Sequence, residues 1–336
     1  MRVAVRIVIF LLCVVCGSGG VQAQNPIRIN LGTVAPEQSL WHQVLLKMSQ
    51  DMEKASGGKV TFKIYAGGRQ GDESEMLRRV RQGTTLQAVA LSGAGLGQVD
   101  TSVNALQIPL LIDSYPQLDY VRKEVEPKFE RTIQNKGFIV LNWSDVGWVQ
   151  FFTKKPARTP ADLRGMRLFT SAGDPDTEQL YKDLRFQPIP LGADELVTAL
   201  QTSLIDAFDV PPLFALANQS FGLAKNMIDM KWAPLVGATI VSSRAWEQIP
   251  EPLRGEMLQI ARKAGDDLRV KIRLSGELAV AEMVKRGLNV IRLTDAEMAL
   301  WRKEAEAAYP KMKGKLVPPD LFDEVVRLSK EYRPAK

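Results

Sequence analysis

The order of hydrophobic periods constrains this chain more than any other feature. The run Ile27 to Val34 (IRINLGTV) places apolar residues at every second position, the period of a half-buried strand. Ser39 then stands where an N-cap would open an amphipathic helix to about Ala55, closed by Gly57-Gly58. Val60 to Tyr65 predicts a second strand, and Asp72 or Ser74 caps a second helix that ends near Gly83. Leu86 to Leu91 predicts a third strand, its unbroken apolar run the mark of burial on both faces. Strand-helix-strand-helix-strand predicts an α/β fold with a parallel sheet covered by helices.

The pattern repeats after a break near residue 145. A helical stretch from about Tyr115 to Gln134 leads into an apolar strand, Gly137 to Trp143, and the chain continues through Gly147 to Phe152 with hardly a turn signal. A run that long predicts a strand that leaves one sheet and enters another, a hinge at Val146-Gly147. Gly165 to Thr170 and Gln187 to Leu191 then read as strands, Asp176 to Leu184 and Asp194 to Thr202 as helices, giving a second α/β unit. Residues 251 to 287 keep helical spacing throughout, with Pro252 in the first turn. Unbroken, such a helix spans roughly 50 Å at 1.5 Å per residue; the alternative is two helices broken near Gly265 or Gly276.

The first 23 residues have the layout of a secretory signal: Arg2 and Arg6, an apolar core from Ile7 to Cys16, and a small-x-small site at Val21-Gln22-Ala23 before Gln24. A lipoprotein reading would use Cys16, but Cys13 and Val15 are poor neighbours for one. Cys13 and Cys16 are the only cysteines, so the expected mature chain has no disulfide, no thiolate nucleophile and no Cys-based metal site. No later apolar run is long enough for a membrane span. A net charge of +6, from 44 basic and 38 acidic residues among 336, is too diffuse to imply nucleic acid.

Catalytic resources are thin. The only histidine, His42, sits inside the first predicted helix, and no G-x-S-x-G elbow is present, which argues against a hydrolase. No metal or cofactor is expected. Gly173-Asp174-Pro175-Asp176 reads as turn and cap chemistry rather than a calcium loop. Gly93-Ala94-Gly95-Leu96-Gly97 follows a strand, but the dinucleotide fingerprint needs its third glycine at the position of Gln98. Those glycines instead read as a tight turn, or a close backbone approach to a ligand, at the carboxyl end of a strand. Aromatic residues gather between the expected hinge and the second core, with Phe169 and Phe208 near strand ends.

Three segments resemble the DctP-type solute receptors of tripartite ATP-independent periplasmic (TRAP) transporters. Tyr65-Ala-Gly-Gly-Arg-Gln-Gly-Asp-Glu-Ser-Glu-Met-Leu77 is similar to the family's Gly-Gly-x-x-Gly-x-Glu-x-Glu-Met-Leu segment. Ala157 to Arg167 (ARTPADLRGMR) is similar to its RTPxDLKGxK stretch, and Thr198 to Thr202 with Ile205-Asp206 to its ALQTGxVDG helix and turn. The resemblance implies a non-enzymatic periplasmic receptor with a two-lobed periplasmic binding protein fold of type II-like form, with hinge strands and a long lobe-spanning helix. One lobe would hold approximately 24–146 and 235–276; approximately 147–234 and 277–336 would make the other lobe and the C-terminal helices. The implied partners are a small-molecule ligand and the membrane subunits of a TRAP transporter; some such receptors also work with a periplasmic tetratricopeptide-repeat protein.

The departures from the family pattern concern the ligand. Where members carry an arginine after the Gly-x-Lys-x segment, this chain has Phe169; a second arginine falls on Val149 and an asparagine on Val210. A buried carboxylate without a partner costs several kcal/mol. The expected ligand is therefore apolar, aromatic or lipid-like, with Thr33, Trp41, Glu73, Ser92, Gly93, Asp145, Trp148, Val149, Phe169, Phe208, Val210 and Phe214 in the cleft. The alternatives are a carboxylate receptor that uses Arg167 or another cation, and a periplasmic scaffold or signalling subunit with no transported ligand.

Overall fold

The structure, a computed structural model, describes residues 26–334, so the expected signal at 1–23 lies outside the described residues. Strand β1 (Ile27–Thr33) buries the alternating Ile29 and Leu31 and pairs in parallel with β2 (Val60–Tyr65) and β3 (Ala88–Ser92). Helices α1 (Leu40–Ala55) and α2 (Glu73–Gln82) make the crossovers. Ser39 caps α1 by accepting from the His42 amide, and Asp72, rather than Ser74, caps α2 by accepting from the Glu75 amide at 2.8 Å. A short helix α3 (Gly93–Gly97) turns at the carboxyl end of β3, and α4 (Tyr115–Asn135) leads into β4 (Phe138–Thr153).

The second unit runs through α5 (Pro160–Arg164), β5 (Arg167–Ser171), α6 (Pro175–Asp183), β6 (Gln187–Leu191), α7 (Leu196–Gln201), β7 (Ala207–Val210), α8 (Pro212–Ala217) and β8 (Asn226–Ile228). The chain then returns by β9 (Ala233–Ser242) and finishes with α9 (Ser243–Gln248), α10 (Glu251–Lys285), β10 (Asn289–Ile291), α11 (Asp295–Met312) and α12 (Pro319–Glu331).

A single strand, β4, serves two sheets. From Phe138 to Val149 it pairs with β9, in a sheet of order β2-β1-β3-β9-β4. From Gln150 to Thr153 it pairs with β7, and at Phe152 and Thr153 also with β8, in a sheet of order β6-β5-β7-β4-β8-β10. The first three strands are parallel, as their alternation with helices predicts, and β9 enters from the second unit to run antiparallel between β3 and β4.

The register of β4 shifts where the sequence suggested a hinge. Asp145 faces Val236 and Gly147 faces Leu235, which leaves Val146 as an extra residue. Gly147 adopts φ 132°, a backbone conformation that side-chain-bearing residues rarely take. One extra residue exchanges the two faces of the strand beyond it. Trp143, Asp145 and Trp148 accordingly all turn toward residues of α4, where Glu130, Arg122 and Tyr115 meet them.

Of the two readings of residues 251 to 287, the structure has the single helix: α10 is unbroken over 35 residues, about 50 Å at 1.5 Å per residue. Gly265 allows it to lie against β4, since a Cβ there would stand 2.4 Å from the Trp143 carbonyl oxygen. Helix α11 packs on the second unit, with Trp301 buried against Phe151 and Arg164 paired to Glu304. Helix α12, the last of the C-terminal helices, lies on α4. Lys128 pairs with Glu324 there, and the Gln117 amide donates to the Ser329 carbonyl at 3.0 Å.

Candidate ligand-binding site

Open α/β sheets bind ligands beyond the carboxyl ends of their strands. Here the two sheets turn those ends toward one another around a cavity of about 300 Å³. Thr33 and Ser92, at the ends of β1 and β3, reach it from one side; Phe169 and Val210, near the ends of β5 and β7, from the other. Val149 enters from β4 and Glu73 from the first turn of α2. Trp41 of α1 and Phe214 of α8 face each other across the gap with ring centroids 6.5 Å apart. Eight of the twelve residues expected in the cleft thus line one cavity, including Phe169, Val149 and Val210, the three positions where the resemblance expects polar anchors.

Four expected residues lie elsewhere. Asp145 and Trp148 project from the opposite side of β4, because the extra residue at Val146 puts Val149 on the cavity side and Trp148 on the side of Tyr115 and Lys231. Asp145 accepts from Arg122 Nη2 at 2.5 Å and from Arg273 Nε at 2.7 Å, so both its oxygens are engaged. Phe208 is fully buried and stacks on Phe152 at 5.0 Å. Gly93 is turned to Gln107: a Cβ there would stand 2.4 Å from the Gln107 Nε2 atom. Gly95 and Gly97 make the same kind of room for Glu73 and Asn104, so this glycine run accommodates polar side chains of the fold. His42 belongs to the start of α1, where its Nδ1 accepts from the Gln38 amide at 3.0 Å.

The electrostatics of the cavity are one-sided. Among the described residues, no lysine, arginine or histidine lines it, whereas Asp72, Glu73, Asp174 and Asp209 do. Arg167 is directed away, in a two-point pair with Asp206 (Nε to Oδ2 2.8 Å, Nη2 to Oδ1 2.9 Å). It sits at the amino end of β5, two residues and therefore about 6.6 Å along the strand from Phe169. Burial raises the Glu73 carboxyl above the usual range, against the opposing bonds from the Ser92 amide at 2.5 Å and hydroxyl at 2.7 Å. Asp174 is raised by burial too, although it caps α6 by accepting from the Thr177 amide at 2.9 Å. Burial pushes Asp209 up to about 7, opposed by the Tyr181 hydroxyl that donates to Oδ2 at 2.8 Å. Among the described residues, no group of three His, Cys, Asp or Glu could hold a metal ion.

Asp209, Tyr181 and Trp232 are lining residues that the sequence reading missed. A signal for the first was present: Asp209 is the one charged residue in the short apolar strand Ala207-Phe208-Asp209-Val210. Tyr181 comes from α6 and carried no such mark. Trp232 lies just before β9, in contact with Phe151 at 5.4 Å between ring centroids.

Comparison with known proteins gives one consistent answer. Among curated relatives, the Escherichia coli 2,3-diketo-L-gulonate-binding periplasmic protein YiaO is 23% identical over 256 residues, 74% of this chain and 76% of the relative. The Rhodobacter capsulatus C4-dicarboxylate-binding periplasmic protein DctP is 21% identical over 291 residues, 86% of this chain and 87% of the relative. Among solved structures, a TRAP periplasmic solute binding protein from Ralstonia eutropha with bound (S)-2-acetolactate superposes with a TM-score of 0.85 at 21% identity, over 92% of this chain and all of that one. A counterpart from Xanthobacter autotrophicus with bound β-D-galacturonate gives 0.82 at 18% identity, over 90% and 99%. These structures share the fold. The family model described as bacterial extracellular solute-binding protein, family 7 (DctP) matches residues 31–315, and the chain belongs to that family.

Proposed function

We propose that this chain is a periplasmic receptor that captures an apolar, aromatic or lipid-like solute between its two sheets and delivers it to the membrane subunits of a TRAP-type transporter. Family membership supports solute binding rather than catalysis. The observation that carries the choice of ligand is the absence of any Lys, Arg or His from the cavity lining among the described residues, with Phe169, Val149 and Val210 facing the cavity instead. An anion placed there would be desolvated beside four carboxyl groups, a loss of several kcal/mol. An apolar solute avoids that loss, since burying about 300 Å² of its surface contributes roughly 7 kcal/mol before association entropy is subtracted.

The solved neighbours named above hold carboxylates, which keeps a carboxylate receptor as the rival reading. Calorimetry with succinate, D-galacturonate and acetolactate separates the two, alongside native mass spectrometry of whatever copurifies and extracts into organic solvent. The expected result is millimolar or weaker binding of the three acids and an organic-extractable ligand. Micromolar binding of any of them would reject the apolar reading, and loss of that binding in Arg167→Ala would assign it to Arg167. A scaffold with no transported ligand would show no shift in melting temperature with its own copurified extract. The tetratricopeptide-repeat partner is part of the same proposal, tested by pull-down from periplasm.

A further inference from the structure

Three of the four acidic groups around the cavity are engaged in holding the fold together. Asp72 and Asp174 cap helices, and Glu73 is tied to Ser92. Asp209 differs. Its Oδ2 accepts from Tyr181, while its Oδ1 accepts no hydrogen bond from another side chain among the described residues. Leu168 pairs in parallel with Ala207, and Thr170 and Asp209, each two residues farther along its strand, both line the cavity. Thr170 is 97% buried and lines the cavity, and its hydroxyl oxygen has no hydrogen-bond partner among the described residues. On its other side Asp209 is opposite Phe151 of β4, whose ring meets Trp232, itself a lining residue. An acid bonded by Tyr181 and its own backbone amide, an unpartnered hydroxyl and an indole therefore line one apolar cavity whose lining contains no cation.

Resting on the apolar-receptor reading and narrowing it, we propose that the transported solute carries a protonated amine that seats on Asp209 Oδ1 beside Thr170, with its apolar body against Phe169 and the Trp41–Phe214 pair. An ammonium group supplies N–H donors to both oxygens and the counter-charge that no lining residue provides. Burial raises the Asp209 carboxyl, as expected of an acid without a cation, and a bound ammonium would lower it again.

The test uses three probes on the expected mature chain at pH 8: phenethylammonium, 2-phenylethanol and 3-phenylpropanoate, compared by calorimetry. The amine should bind at least tenfold more tightly than the alcohol, and the carboxylate more weakly than both. In Asp209→Asn, which keeps an acceptor for Tyr181, the amine-to-alcohol ratio should fall to within twofold while the alcohol affinity holds; circular dichroism checks the fold. If that variant does not fold, the amine-to-alcohol ratio on the unaltered protein decides. Equal binding of amine and alcohol would overturn this inference and leave the apolar receptor standing, whereas preference for the carboxylate would overturn both. Absence of binding by all three at millimolar concentration also overturns it, because phenethylammonium presents the proposed group on a body small enough for the cavity.

Discussion

Arg273 on the long helix α10 donates from Nε to Oδ2 of Asp145 on β4 across 2.7 Å, immediately before the extra residue Val146. The other Asp145 oxygen takes Arg122 from α4, and Arg273 extends to both oxygens of Asp119 at 2.6 Å with its guanidinium over the Tyr115 ring. Burial raises the Asp119 carboxyl, but the Arg273 guanidinium outweighs it and holds the group below its usual range. The strand joining the two sheets is thus bolted to two helices by a charge network whose central carboxylate is 1% exposed.

Removing the Asp145 charge takes from the buried Arg122 its hydrogen-bonded carboxylate and leaves it only Glu126 at 3.9 Å. Asp145→Asn should lower unfolding stability by about 3–5 kcal/mol, read from urea titration. The loss should change little between low and high salt, since a buried pair is poorly screened. A loss below about 1 kcal/mol would mean the network is no stronger than an exposed surface pair.

Two glycines on α10 should respond in opposite directions. A Cβ at Gly265 would press on the Trp143 carbonyl at 2.4 Å and the Asn142 Cβ at 2.8 Å, so Gly265→Ala should destabilise by about 1–3 kcal/mol. Nothing lies within 4 Å of a Cβ at Gly276, and Gly276→Ala should stabilise by about 0.5–1 kcal/mol through helix propensity. Thermal melts of both variants check the pair, and equal signs would refute the close approach of α10 to β4.

Asp209 makes stability depend on pH with a definite sign. Its folded value is about 7, whereas an unfolded aspartate titrates near about 3.9. Between those values the folded state holds a proton that the unfolded state has released, so stability falls as pH rises from about 4 to about 7 and is level beyond. Asp209→Asn should therefore be more stable than the parent by roughly 1–3 kcal/mol at pH 8 and nearly equal to it at pH 4. Parallel urea titrations at the two pH values measure this; a variant advantage that is the same at both would exclude Asp209 as the titrating group.

The hinge gives a fourth expectation. Closure of the two lobes should bend the chain near residues 146–149 and 232–237, with α10 as a brace. Small-angle scattering should show a smaller radius of gyration when the copurified ligand is restored. Gly147 holds φ 132°, with Pro211 Cβ 3.0 Å from where a Cβ would stand, so Gly147→Ala should destabilise by about 1–3 kcal/mol. An unchanged radius at saturation would count against a hinge at these strands.

Much of the architecture was legible because it follows from local chemistry. Alternation at Ile29 and Leu31, the caps at Ser39 and Asp72, and the unbroken helical spacing from 251 each point to one element. The crossing of β4 from sheet to sheet was legible in its length. Which side chains of β4 meet the cavity was not. Period-two reading assumes a regular strand, and the extra residue at Val146 moves Trp148 to the α4 side while Val149 reaches the cavity. Phe208 looked like a cleft residue because it sits near a strand end, but it stacks on Phe152, a partner 56 residues earlier in the chain. The Tyr181–Asp209 contact joins two elements that only the assembled sheet brings together. The placement of α12 on α4 likewise depends on packing between distant segments, which no local period encodes.

The position of β9 between β3 and β4 bears on how the chain can be assembled as it emerges from its N-terminus. When residue 153 has appeared, β3 and β4 are both complete, yet the strand that joins them begins only at Ala233. For some eighty residues of synthesis, each of these strands keeps an open edge with unpaired amide and carbonyl groups, the kind of surface that templates mispairing between chains. A nascent chain halted anywhere in that interval should associate with itself, and one extended past Ser242 should not.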